Sequence, residues 1–193
     1  FMCRRRSENA RSIANAKAGW ARIASMRAAR SMDRSSHSVR AIAVAERAAT
    51  RAELAGSRSI LARARFEQGA AQRKLGDSTG AAGRFEVARR LAGDLGDRAF
   101  VASVAQSLAN LEQSRGDFAR AERLFEEARA TFEAIGNRRR AARVQVSLGL
   151  VASERGELQR ARELYESAGR TLAELGDRRG AAAAAANLGT MHY

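Results

Sequence analysis

Proline is absent from all 193 residues, so nothing of that kind interrupts a helix. A single cysteine, Cys3, excludes an internal disulfide. The two histidines, His37 and His192, have no paired Cys or carboxylate at metal-ligand spacing. No G-x-x-x-x-G-K-[ST] phosphate loop occurs, and Gly80-Ala-Ala-Gly83 has neither strand nor lysine around it. Aromatic residues make up only 5%, which leaves little for base stacking. No run of 18 apolar residues could span a bilayer, and Arg4-Arg5-Arg6 is followed by polar residues rather than the apolar core of a signal peptide. The expectation is therefore a non-enzymatic, cytoplasmic chain with no cofactor, no metal site and no membrane partner. Cys3 reads as incidental and Trp20 as a packing anchor.

Charge is plentiful but scattered. Lys and Arg total 35 against 21 Asp and Glu, a net charge of +14. Residues 1–56 hold 12 basic and 4 acidic side chains, 57–96 hold 8 and 4, 97–136 hold 5 and 7, and 137–193 hold 10 and 6, so no single segment is a basic block. Glutamates lie among the arginines at helical spacing, as with Arg123 and Glu127 or Arg160 and Glu163. Nucleic acid is accordingly disfavoured as a partner, despite the attraction a basic surface has for it. Only Lys17 and Lys74 are lysines, a bias that points to a high-GC bacterial coding sequence.

Glycine supplies the organising pattern. Gly96, Gly136 and Gly176 recur every 40 residues, and Gly76, Gly116 and Gly156 recur at the same interval midway between them. Each precedes a capping or acidic residue: Asp77, Asp97, Asp117, Asn137, Glu157 and Asp177. Such a pair ends one helix in the left-handed conformation and caps the next, with Glu157 the poorest cap. The spacing predicts helices of about 17 to 18 residues, roughly 26 Å long. Hairpins are expected at about 17–56, 57–96, 97–136 and 137–176, followed by a single helix at 177–191, with a partial helix in 1–16. The apolar stripe Phe118, Ala121, Leu124, Phe125, Ala128, Phe132 and Ile135 returns 40 residues later as Leu158, Ala161, Leu164, Tyr165, Ala168, Leu172 and Leu175. Forty residues earlier it loosens, keeping Ala81, Phe85 and Ala88.

The paired small residues and aromatic on the second helix, with the Leu148-Gly149 and Leu188-Gly189 steps on the first, resemble the tetratricopeptide repeat in its 40-residue form, found in large bacterial signalling proteins. Leu108-Ala109 and Gln68-Gly69 depart from that step, and Ala41, Ala45 and Ala48 lack the aromatic. The resemblance implies an all-α, right-handed superhelical solenoid that recognises protein or peptide, as a scaffold or sensor within a larger bacterial regulator. Because the chain opens on Phe1 and closes on a first helix without its second, it is expected to be an excised piece of such a protein.

The resemblance also places a concave groove along the first helices. Its expected lining is Arg63, Phe66, Ala70 and Arg73, then Ser103, Gln106, Asn110 and Gln113, then Arg143, Val146, Ser147 and Leu150, with Asn187 and Thr190 beyond. Amides there could pair with a peptide backbone and arginines with its carboxylates. Separately, Arg58, Arg98, Arg138 and Arg178 recur just after the caps of the first helices, thickened by Arg139, Arg140 and Arg179. They form a candidate strip for an acidic partner, set against the plainer reading that each bonds a neighbouring cap or carbonyl. Two uncapped stack ends allow end-to-end self-assembly as a further alternative.

Overall fold

The computed structural model describes residues 36–191. It holds eight helices: α1 (36–54), α2 (Arg58–Lys74), α3 (Ser78–Asp94), α4 (Arg98–Ser114), α5 (Phe118–Ala134), α6 (Arg138–Glu154), α7 (Leu158–Glu174) and α8 (Arg178–Thr190). Six of them, α2 to α7, have 17 residues each, the length the glycine spacing predicts. The expected partial helix in 1–16, the first helix of hairpin 17–56, Cys3, Trp20 and His192 lie outside the described residues.

The turns form as the sequence demands. Gly56 and the six periodic glycines have φ between 63° and 86°, the region that disfavours a Cβ. At the end of α5, the Gly136 N–H donates to the Glu133 carbonyl and the Asn137 N–H to the Phe132 carbonyl, the paired bonds that close a helix on a left-handed glycine. Asp77, Asp97, Asp117, Asn137 and Asp177 then accept from the backbone N–H three residues on. Glu157 makes no such cap, and neither does Ser57.

Consecutive helices pair as α2 with α3, α4 with α5, and α6 with α7, and these pairs stack through α3 on α4 and α5 on α6, with α8 laid on α7. The result is an all-α helical-repeat solenoid with a continuous core. Phe85, Phe125 and Tyr165, the second-helix aromatics, are buried between flanking alanines. Phe85 and Tyr165 lie against Gly69 and Gly149, the glycines of the first helices, where a Cβ would come within 2.9 Å and 2.6 Å of the rings. The glycine in the Leu-Gly step is thus the space that the aromatic of the next helix needs.

Candidate functional site: the face of the first helices

The first helices α2, α4, α6 and α8 carry the expected groove residues at matching turns, and the side chains divide into two groups. The first group ties one hairpin to the next. Phe66 is half-buried, its ring 5.4 Å from Phe85 and 5.5 Å from Phe100, the latter across the seam to the following hairpin. Arg63 sits with its guanidinium 5.4 Å above the Phe100 ring. Forty residues on, Ser103 accepts from Arg140, whose guanidinium also lies 5.4 Å over Phe132. Gln113 donates to Glu154 of α6 at 2.9 Å.

Arg143 makes the strongest of these links. Its Nε and Nη2 donate to the two oxygens of Asp177, at 2.6 and 3.0 Å, while Asp177 also caps α8 at Gly180. The guanidinium, with the Gly180 N–H, draws the Asp177 pKa down to about 2. The two-pronged geometry also raises the Arg143 pKa.

The second group is Arg73, Gln106, Asn110, Ser147 and Asn187, whose side chains make no hydrogen bond or ion pair among the described residues. Gln106 and Asn110 stand one turn apart on α4, mid-stack, with Ser147 and the exposed Leu150 on α6 beside them in sequence register. They leave four amide hydrogens and two carbonyl oxygens available on one helix.

The arginine strip is exposed throughout. Arg58, Arg98 and Arg178 have no carboxylate or carbonyl partner among the described residues. Arg138 faces Glu174 at 3.8 Å, and its neighbour Arg139 donates to the Leu175 carbonyl at the end of α7. The bond to a cap or carbonyl is therefore found in the hairpin of α6 and α7.

Charge pairing departs from the expected in-helix pattern. Arg160 pairs with Glu122 of α5 and with Glu157, rather than with Glu163, which accepts instead from Gln159. Arg155 joins the same two glutamates, closing a four-member ring that links α5 to the start of α7. Arg89 reaches Glu127 and Arg120 reaches Glu86, so α3 and α5 are joined similarly. The sequence signal for these links was a spacing of 33 to 38 residues, just short of the repeat, rather than three or four.

Among the described residues no three or more His, Cys, Asp or Glu side chains gather as a metal would require, and no helix is long and apolar enough to cross a membrane. His37 lies in the first turn of α1.

Residues 100–170 match the sequence model of the tetratricopeptide repeat. The chain carries a tetratricopeptide repeat domain. Solved structures share its fold. A Rap protein complexed with competence and sporulation factor superposes with a TM-score of 0.70 at 20% identity, over 76% of this chain and 41% of that one. BtubC from P. vanneervenii gives 0.52 at 17% identity, over 84% and 91%. A kinesin light chain with nearly identical repeats from Podosopora anserina gives 0.51 at 14%, over 82% and 96%. The tetratricopeptide domain thus spans less than half the length of the Rap chain. Among curated proteins, none matches it.

Proposed function

We propose that the chain is a protein-interaction module that holds an extended peptide or protein segment against the face of the first helices, within a larger cytoplasmic bacterial regulator. One observation carries the reading. Gln106 and Asn110 keep their amides unengaged at the middle of the stack, while the residues on either side of them are committed to joining hairpins. Paired amides suit a peptide backbone, which offers a donor and an acceptor at each residue. The Rap protein of the same fold is complexed with a factor, and a ligand of that kind is what this reading assigns here.

Arg63 and Arg73 on α2 bias the face toward a segment with carboxylates. The unpartnered Arg58, Arg98 and Arg178 favour a second reading, in which an acidic partner runs along the neighbouring edge. Both are tested by passing lysate over the immobilised chain and over a Gln106→Ala, Asn110→Ala double variant. A protein retained at moderate salt by the first and lost by the second is expected. Equal retention by both would move the site away from α4, and nucleic acid held only at low salt would reduce the charge to an unspecific field.

A further inference from the structure

The apolar cleft between α1 and α2, about 500 Å³ in volume, is lined by Ala41, Val44, Ala45, Ala48, Ile60 and Ala64 among others. Val44 is 58% exposed and Ile60 54%. One repeat later the same positions are closed. Ala81 and Ala88, forty residues after Ala41 and Ala48, are fully buried beside α2. Phe100, forty residues after Ile60, is covered by Phe66 and Arg63 of α2. So α1 presents the inner face of a second helix, and the described residues contain no first helix lying on it.

We propose that residues 17–34 of this chain occupy the cleft, with Ile23 and Met26 against Ile60 and Val44. Register commits the site to this segment. Ile23 and Met26 stand forty residues before Arg63 and Phe66, the two side chains that cover Phe100. Ala28 and Ala29 stand forty before Gln68 and Gly69, small where a second helix comes close. Size agrees as well, because Ala45 replaces the aromatic Phe85 and leaves volume that a long, adaptable methionine fills. Connection agrees too: Arg34 is separated only by Ser35 from the first residue of α1. A segment so tethered acts at an effective concentration on the order of millimolar, above what a separate partner or second copy offers. The cleft is an internal site, and the face open to a partner gains a further first helix at its N-terminal end.

Cross-linking in the full chain tests this. In a Cys3→Ser background, Met26→Cys and Ile60→Cys are bridged with a short bismaleimide, and Met26→Cys with Leu158→Cys serves as the distant control. A cross-linked monomer from the first pair only, at a yield independent of protein concentration, is expected. No product, equal products from both pairs, or a dimer that grows with concentration would each overturn the proposal, the last assigning the cleft to a second copy. As an independent readout, Met26→Arg should raise the fluorescence of an apolar-surface dye several-fold with helix content unchanged. Fluorescence equal to that of the parent chain would count against the assignment.

Discussion

Tyr165 lies so close to α6 that a Cβ added to Gly149 would come within 2.6 Å of its ring. Gly189 occupies the same place in the next Leu-Gly step, and nothing lies within 4 Å of its added Cβ. The two glycines therefore separate packing from helix propensity. Gly149→Ala should destabilise the fold by about 1 to 3 kcal/mol through overpacking. Gly189→Ala should be neutral or stabilise by up to about 1 kcal/mol, since alanine is the better helix former. Denaturant midpoints of the two variants check both, and an equal loss in each would refute the packing account.

Gln68 fills the slot that Leu108 and Leu148 fill in later repeats. It is almost fully buried, and its Nε2 has no partner, although its Oε1 accepts from Arg65 at 3.1 Å. A buried donor left unpaired costs about 1 to 3 kcal/mol. Gln68→Leu should therefore raise stability by about 1 kcal/mol or more, with Arg65 retained by Glu53 at 2.6 Å. Thermal unfolding of the variant is the check, and a lower midpoint would mean that the amide is satisfied in solution.

The turns and the stripe were legible because each rests on one local cause: a left-handed glycine, a capping carboxylate, or a three-and-four spacing. The groove was only half legible. Counting turns placed Arg63, Phe66, Gln113 and Arg143 on the right helices, yet whether such a side chain stands clear depends on the neighbour 34 to 41 residues away. Arg143 meets a carboxylate because the cap at 177 is Asp, whereas Asn137, one repeat earlier, is uncharged and Ser103 turns to Arg140 instead. Ion pairs were misjudged for the same reason, since stacked helices bring Arg160 to Glu122 before it can fold back on Glu163.

The Arg143–Asp177 pair predicts a pH dependence at the C-terminal end of the stack. The folded pKa of Asp177, about 2, lies below the unfolded value near 3.9. Its contribution is therefore complete above about pH 4 and is lost as the pH falls toward 2. Asp177→Asn keeps a capping oxygen but loses the charge, so its melting temperature should fall below that of the parent at pH 6 and meet it near pH 2. Asp177→Ala, which loses both, should melt lower still. A gap between parent and Asn variant that stays constant with pH would exclude the ion pair as its source.

The ring of Glu122, Arg155, Glu157 and Arg160 makes a prediction about salt. Both arginines are about two-fifths exposed, so water screens each pair and an isolated one would contribute little. Glu122, however, is only 20% exposed and holds two guanidinium groups at 2.5 Å. Its removal leaves Arg155 and Arg160 facing each other with Glu157 alone between them. Glu122→Gln should cost about 1 kcal/mol at low ionic strength and much less at about 1 M salt, where the Debye length shrinks to about 3 Å. Glu166→Gln, which breaks a 4.0 Å pair within α7 between two exposed side chains, should cost no more than a few tenths of a kcal/mol at either salt. Denaturant titrations of both variants at the two ionic strengths decide the matter. If the Glu122 loss were indifferent to salt, its origin would be packing at the seam between α5 and α7 rather than charge.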